Sequence, residues 1–287
     1  MSAQTLIFCV GATKAGTSWL HQFLRKHEDC YFRNFKELHY FDSLDFGKTA
    51  HYQKYQATRL AGLREKLEQH PHRDTNTWLP TLISDIETWL ALFEEQNADD
   101  AAYLGYVGYG TKEAKIVGDI TPAYGQVSSE MLRRMSSLCE DVKFIFILRD
   151  PVERLWSSMR MTASRQGDAA METCVAEYLN DQNDKLSASS DYKSMLKRMQ
   201  AVIPRKNLHL EFYEHMFTQN AVDRICEFLE IKPSSAAFDK VVHKGKKMEL
   251  PSVLRVEFES KLKPQYSFIE DYMGGLPSEW TEKMVNA

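Results

Sequence analysis

Long hydrophobic runs are absent from this 287-residue chain. A membrane-spanning helix needs roughly 20 consecutive apolar residues, and no stretch of the sequence comes near that length. A secretory signal begins with a charged segment, whereas this chain enters an apolar stretch at Leu6 almost at once. The sequence therefore predicts no membrane span, and we expect a cytoplasmic protein.

Cysteine is scarce, and its spacing excludes two kinds of structured site. The five cysteines are odd in number, and no two of them form a C-x-x-C pair. A disulfide framework needs paired cysteines, and a zinc site needs closely spaced ligands. The sequence predicts neither, and because it offers no other cluster of metal ligands we expect no metal. The cysteines are Cys9, Cys30, Cys139, Cys174 and Cys226.

An excess of positive charge is also missing. The chain has 36 Lys and Arg residues against 40 Asp and Glu residues, a net charge of −4. It lacks the overall basic character that attracts nucleic acids, so any anion site must be local. There are no internal repeats or low-complexity tracts, and 43% hydrophobic residues suffice for a full core. Residues 1–287 are therefore predicted to form one domain.

A glycine-bearing turn follows the first apolar run. The run Leu6–Val10 is typical of a buried strand, and the residues behind the turn have helical periodicity. A strand, a turn and a helix N-terminus together make a nest of backbone N–H groups that binds phosphate. The usual nucleotide-triphosphate loop has its lysine just after the second glycine, but here Thr17 follows Gly16 and the lysine is Lys14. The turn alone also fits a phosphate loop of another nucleotide enzyme.

A second strand-to-helix junction lies at the run Phe144–Leu148. Asp150 is a good helix N-cap, Pro151 fits the first helical position, and Glu153 completes a pattern like a capping box. Arg149 is therefore predicted at the carboxyl end of a strand, where open α/β sheets bind ligands. Taken alone, Arg149 fits a surface salt bridge equally well.

Together these two elements resemble sulfotransferases that use 3′-phosphoadenosine 5′-phosphosulfate (PAPS). Lys14–Ser18 resembles their 5′-phosphosulfate loop, and Arg149 with Ser157 resembles their 3′-phosphate site. The resemblance implies one α/β domain with the P-loop-like sulfotransferase fold, in which helices flank a parallel sheet of four or five strands. It also implies that PAPS is the co-substrate and adenosine 3′,5′-bisphosphate the product. The residues that it assigns to the cofactor here are Lys14, Ala15, Gly16, Thr17, Ser18, Arg149 and Ser157.

A basic segment late in the chain, His243–Lys247, contains one glycine. It resembles the loop that closes over the cofactor in this family, which implies cofactor contacts from Lys244, Gly245 and Lys246. A solvated basic loop is the alternative interpretation.

The segment Lys36–Asp42 contains the candidate base. If it is extended, Glu37, His39 and Phe41 share one face. The segment resembles the E-x-H-F-F-D element of the sulfotransferases that modify heparan sulfate and of their bacterial relatives, in which the glutamate is the base. The resemblance makes Glu37, Lys14 and His39 the catalytic residues, with His39 as the second candidate base. The alternative for Glu37 is a surface carboxylate paired with Lys36.

The segment Val117–Tyr124 resembles the E-K-T-P-A-Y element of the same branch, with two departures. Asp119 replaces the glutamate, and Ile120 replaces a lysine thought to assist catalysis. This leaves Lys14 as the principal cation near the leaving group.

No family motif is visible between residues 43 and 115. Apolar residues at helical spacing predict an amphipathic helix over about Thr81–Gln96. We expect residues 43–115 to form a helical insert that covers the acceptor side, although helices that serve packing alone would have the same pattern.

The predicted activity is transfer of a sulfuryl group from PAPS to a hydroxyl, or failing that an amine, of a small-molecule or carbohydrate acceptor. Two other functions remain open at this point. One is a P-loop nucleotide kinase that uses ATP and Mg²⁺, and the other is a nucleotide-binding protein without catalysis. The sequence indicates neither the acceptor nor the oligomeric state.

Overall fold

Five parallel strands form a single sheet in the order β2-β3-β1-β4-β5. The computed structural model describes residues 4–69, 78–93, 99–167, 169–238 and 248–285. The strands are β1 Thr5–Gly11, β2 Cys30–Tyr31, β3 Ile116–Ile120, β4 Val142–Leu148 and β5 Leu208–Phe212. This single α/β domain with an all-parallel sheet confirms the predicted fold class and the expected four or five strands.

The central strands are buried on both faces. Every residue of β1, β3 and β4 is buried, which is the usual state of a parallel sheet that helices cover on both sides. β1 is the middle strand and pairs with β3 and β4, Ile7 lying opposite Gly118 on one side and Lys143 on the other. As a result, the loops that follow β1, β3 and β4 start side by side at one edge of the sheet.

Helices flank the sheet and build an extension beyond it. The helices before β4 are α1 Thr17–Lys26, α2 Tyr40–Asp45, α3 Thr49–Gln69, α4 Trp78–Ala91, α5 Asp100–Val107 and α6 Ser129–Ser136. Those after β4 are α7 Pro151–Gln166, α8 Ala169–Leu179, α9 Asp184–Ser190, α10 Tyr192–Val202, α11 Gln219–Leu229, α12 Ser252–Met273 and α13 Ser278–Val285. Within the described ranges, no helix combines the length and apolar character that a membrane span requires.

The helix expected over Thr81–Gln96 has different ends. It begins at Trp78 and finishes at Ala91. The apolar face starts earlier than expected because Leu79 is buried. At the other end the hydrogen-bond spacing shortens from four residues to three, since the N–H of Leu92 donates to the carbonyl of Trp89.

Candidate active site

The turn after β1 is shaped around Gly16, the N-cap of α1. Gly16 has a φ of +79°, a left-handed conformation that glycine adopts without strain. A β-carbon at this position would lie 3.1 Å from the ring of Tyr213. Within the described ranges no side chain caps α1, so the backbone N–H groups of Thr17 and Ser18 stay available to an anion, whereas that of Trp19 donates to the carbonyl of Gly16.

Arg149 follows β4 and reaches back to this turn. Its Nη1 donates a hydrogen bond of 2.7 Å to the carbonyl of Lys14, and its guanidinium lies 4.6 Å from the centroid of the Tyr213 ring. Its Nε is buried and has no hydrogen-bond partner among the residues that the structure describes. Among the described residues no carboxylate forms a salt bridge with Arg149, in contrast to the surface salt bridge that was its alternative interpretation.

The N-terminus of α7 has the cap that the sequence predicts. The side chain of Asp150 accepts a 2.9 Å hydrogen bond from the backbone N–H of Glu153, and Pro151 is the first helical residue. Asp150 also accepts a 3.0 Å hydrogen bond from the hydroxyl of Tyr266. Ser157 lies further along α7, on the same strand-to-helix junction as Arg149, and is partly buried.

Lys14 lies between this junction and the candidate base. Its Nζ is 3.7 Å from Sδ of Met161 on α7. Burial lowers the pKa of Lys14, and the positive charge of Arg149 lowers it further, while the negative charge of Glu37 acts in the opposite direction. Lys14 and Glu37, which are distant in sequence, therefore lie within electrostatic range of each other.

The segment that carries Glu37 is not extended, so the condition for Glu37, His39 and Phe41 to share one face of a strand is not met. Glu37 has a φ of +62° and His39 a φ of +54°, both in the left-handed region that non-glycine residues rarely adopt. The helix α2 then begins at Tyr40. Two left-handed residues separated by one residue make a compact turn in place of a strand.

Asp119 holds this turn from the carboxyl end of β3. Its carboxylate accepts hydrogen bonds from Thr121 at 2.7 Å and from Tyr124 at 2.6 Å. The Thr121 hydroxyl accepts a hydrogen bond from the N–H of Leu38, and the Tyr124 hydroxyl accepts one from the N–H of Tyr40. The buried polar network therefore fixes the backbone on both sides of His39.

Burial makes the carboxyl group of Asp119 a weaker acid. The side chain is 2% exposed, and burial raises its pKa although the hydroxyls that donate to it act in the opposite direction. A third hydroxyl, that of Tyr103 on α5, also donates to it at 3.0 Å. Ile120, the next residue, is buried and brings no charge to the site.

The carboxylate of Glu37 has one neighbour within hydrogen-bond distance and one beyond it. Its Oε1 lies 2.6 Å from Nζ of Lys36, and its Oε2 lies 4.0 Å from Nε2 of His39. The side chain of Glu37 is 48% exposed. Burial alone would raise the pKa of Glu37, but the charges of Lys36, His39 and Lys14 together hold it below its usual value.

His39 is oriented through its other ring nitrogen. Nδ1 lies 2.8 Å from Oδ2 of Asp42, which accepts a hydrogen bond from it and so directs Nε2 towards Glu37. The imidazole stacks on the ring of Tyr52 from α3 with centroids 4.3 Å apart. The Tyr52 hydroxyl donates to the same Asp42 oxygen at 3.2 Å.

The predicted site residues thus fall into three groups. Arg149 of the β4–α7 junction contacts the loop at the carbonyl of Lys14, and Glu37 lies within electrostatic range of Lys14 and 4.0 Å from His39. Lys244, Gly245 and Lys246 lie outside the described residues, and their assignment stays a prediction.

Tyr213 and Tyr52 lie at the site but were not predicted from the sequence. Tyr213 directly follows β5, and its backbone N–H donates to the carbonyl of Leu148 at 2.7 Å. Its position directly after a parallel strand could have indicated a place at the site, because the position of Arg149 was predicted from the same feature. Tyr52 carried no sequence signal, since only the packing of α3 brings it to His39.

Comparisons with known proteins show the family and the fold of the chain. The family model described as the Sulfotransferase family matches residues 7–234. No curated protein sequence matches the chain. The crystal structure of a sulfotransferase from Alicyclobacillus acidocaldarius is 23% identical with a TM-score of 0.64, covering 98% of this chain and 100% of that one.

A second solved structure is the sulfotransferase domain from the curacin biosynthetic pathway. It is 17% identical with a TM-score of 0.50 and covers 93% of this chain and 98% of that chain. At such identities the two structures show the common fold, which is the P-loop-like sulfotransferase fold that the sequence predicts. Because the family model also spans most of the chain, this protein belongs to the Sulfotransferase family.

Proposed function

We propose that the protein transfers a sulfuryl group from PAPS to a hydroxyl of a small-molecule or carbohydrate acceptor, with an amine as the second candidate acceptor group. One observation carries the proposal. Two cationic side chains, Lys14 and Arg149, flank a glycine turn at an uncapped helix N-terminus, and the carboxylate of Glu37 lies within electrostatic range of Lys14.

The residues present suit the two anionic ends of PAPS. The first turn of α1 has backbone N–H groups without a side-chain cap, as a 5′-phosphosulfate group would need. The buried Nε of Arg149 has no hydrogen-bond partner in the described part of the chain, and a guanidinium binds phosphate through paired donors. We assign the phosphosulfate to Lys14–Ser18 and the 3′-phosphate to Arg149 and Ser157, with Lys244, Gly245 and Lys246 as further contacts.

The proposed reaction is an in-line displacement at sulfur. The acceptor oxygen forms a bond to sulfur as the bond from sulfur to the phosphate oxygen breaks, and adenosine 3′,5′-bisphosphate leaves. Glu37 takes the acceptor proton, and Lys14 stabilises the negative charge that develops on the leaving phosphate oxygen. The products are the sulfate ester and the nucleotide, and the proton is then released from Glu37 to water.

His39 is the second candidate for the base. The hydrogen bond from its Nδ1 to Asp42 leaves Nε2 as the nitrogen that faces Glu37 and can accept a proton. We favour Glu37 because its carboxylate is the more exposed of the two groups, 48% against 18% for the His39 side chain.

The helices of residues 43–115 are assigned to the acceptor side. α3 contributes Tyr52, which stacks on His39, and α4 contributes Asp85, which accepts from the N–H of Asn34 at 2.8 Å. These contacts attach the insert to the segment that carries the proposed base, so an acceptor bound there would meet Glu37.

A binding comparison tests the donor. A ligand of the native state raises the melting temperature by mass action, and at 100 times its Kd it adds about 2.7 kcal/mol to stability. We expect adenosine 3′,5′-bisphosphate to stabilise the protein more than ATP with Mg²⁺ does. Equal stabilisation by the two would favour a kinase. Incubation with ³⁵S-labelled PAPS and metabolite extracts then separates an enzyme from a protein that only binds the nucleotide.

A further inference from the structure

We propose that Lys36 is a positioning residue that holds the Glu37 carboxylate ionised and fixes which of its two oxygens faces the acceptor. The inference rests on the proposed role of Glu37 as the base. It concerns a residue that the sequence analysis treated only as a surface partner.

The contact differs from an ordinary surface ion pair. Exposed pairs between long side chains contribute little to stability, because two flexible groups must be ordered for a weak attraction in water. Lys36 is only 14% exposed, whereas its partner Glu37 is 48% exposed. The ammonium is thus already held by packing, and it presents a fixed charge 2.6 Å from Oε1.

The surroundings of Lys36 explain why it is held. Together with Asp119 and Ile120 it lines a small cavity at the end of β3. Upstream, Asp85 accepts a 2.8 Å hydrogen bond from the N–H of Asn34. Downstream, the N–H of Leu38 donates to Thr121 at 2.9 Å. The backbone is therefore anchored on both sides of the Lys36–Glu37 pair.

The arrangement makes the two oxygens of Glu37 unequal. Oε1 accepts from the ammonium of Lys36. The separation of 4.0 Å between Oε2 and Nε2 of His39 is too long for a hydrogen bond. In the described parts of the chain, no hydrogen bond ends on Oε2, which makes it the oxygen that receives the acceptor proton.

Several charged or titratable groups face Glu37, and each contributes to its pH dependence. Lys14, Lys36 and His39 are the cations or potential cations around its carboxylate. Tyr52 on α3 and His21 on α1 also respond to the charge of Glu37. Among the residues that the structure describes, Lys36 alone is in hydrogen-bond contact with Glu37, so its removal is expected to have the largest effect on the protonation of Glu37.

The first test needs no acceptor. The carboxyl ¹³C resonance of Glu37, assigned by its absence in Glu37→Gln, is titrated in the wild type, in Lys36→Met and in Lys36→Arg. Methionine keeps the alkyl chain and removes the charge, whereas arginine keeps the charge. We expect Lys36→Met to move the titration of Glu37 to higher pH and Lys36→Arg to keep it near that of the wild type. An unchanged titration in Lys36→Met would overturn the proposal.

The second test uses turnover of ³⁵S-labelled PAPS with the acceptor found in the extract screen. At pH values below the titration of Glu37 the base is protonated and inactive. The loss of turnover in Lys36→Met should therefore be about 3–10 times larger at pH 5 than at pH 8. Lys36→Arg should restore most of that difference. Lys232→Met is the matched control, because Lys232 pairs with Glu28 at 3.0 Å on the exposed surface. A parallel loss at both pH values would mean that Lys36 is only structural.

The two proposals fail in distinguishable ways. If Glu37→Gln retains wild-type turnover, the assignment of the base is wrong, whatever Lys36→Met does. If Glu37→Gln is inactive while Lys36→Met has the wild-type pH profile, the base stands and the positioning role of Lys36 is overturned. Should Lys36→Met fail to fold, Lys36→Gln with the same ¹³C titration gives the answer.

Discussion

The glycine turn at residues 11–18 and the turn at residues 36–42 both present charged groups at the same edge of the sheet, but they reach their conformations differently. In the first, the left-handed positions are Gly16 and Lys14, and the N-terminus of α1 follows Gly16 at once. In the second, the left-handed positions are Glu37 and His39, which have no such intrinsic freedom. The second turn is held by partners distant in the chain, among them Thr121 and Tyr124.

The difference shows which backbone conformations can be predicted from neighbouring residues and which depend on tertiary contacts. A turn built on glycine and a helix end can be read from neighbouring residues, because its conformation depends on local sterics. A turn that forces ordinary residues to a positive φ needs a tertiary network that over-determines it. The glycine of the donor site is thus set locally, whereas the left-handed Lys14, whose carbonyl accepts from Arg149, and the proposed base both depend on tertiary contacts.

The largest expected effect is that of Glu37→Gln. The amide keeps the shape of the side chain but cannot take the acceptor proton, and loss of a general base typically lowers the rate about 10²–10⁴-fold. Binding of adenosine 3′,5′-bisphosphate should change little, because the donor site is the other turn. Single-turnover rates and calorimetric titration of the nucleotide measure the two quantities.

His39→Ala distinguishes between the two candidate bases. With Glu37 as the base, His39→Ala should lose less turnover than Glu37→Gln at every pH, since it removes only a neighbour of the carboxylate. The opposite ranking on the same acceptor would move the base to His39 and its partner Asp42.

Arg149→Ala should break the donor site and leave the base region intact. Hydrogen bonds to charged groups contribute about 1.5–3 kcal/mol, which corresponds to roughly a 10–100-fold rise in the KM for PAPS. The rate constant of the bound state should fall much less, because the 3′-phosphate is remote from the reacting sulfur. Arg149→Lys, which keeps the charge but loses the paired donors, should give an intermediate KM. An unchanged KM in Arg149→Ala would make the residue purely structural.

Asp119→Asn should disrupt the hydrogen-bond network that supports the Glu37 turn. The amide presents N–H donors to hydroxyls that already donate to this site, so we expect a loss of about 2 kcal/mol in the free energy of unfolding. Turnover should fall because the Glu37 turn loses its support, whereas nucleotide binding should stay within a few-fold. Urea denaturation measures the stability. Asp181→Asn, at a side chain that is 78% exposed, is the control.

The smallest expected effect is a change in the pH profile of Lys14→Arg. Burial and the charge of Arg149 lower the pKa of Lys14 from its ordinary value of 10.5, so the cation is lost as pH rises through that lowered pKa. The wild-type rate should therefore fall at alkaline pH below 10.5. An arginine stays charged, so this alkaline limb should vanish in Lys14→Arg even if the rate at neutral pH is lower. A limb that persists in the variant belongs to another group.

Much of the fold followed from the chain alone. The run before Arg149 predicts β4, and Asp150 with Pro151 predicts the start of α7, all as observed. The backbone of the segment Lys36–Asp42 could be given only as a condition, because alternation of residue types says nothing about hydrogen bonds to Thr121 or Tyr124. The ends of α4 were also missed, since burial of Leu79 depends on what packs against it.

The sequence by itself determined the parts whose physics is local. These are the apolar strands, the glycine turn with its helix N-terminus, the cap at Asp150 and the residue types of the two candidate charge sites. Only the tertiary structure decided that Lys14 and Glu37 interact, that Arg149 lies over Tyr213 and that Lys36 is nearly buried beside the candidate base. The reason is that charge interactions and burial depend on distance in space, and the parallel sheet brings together strand ends that are far apart along the chain.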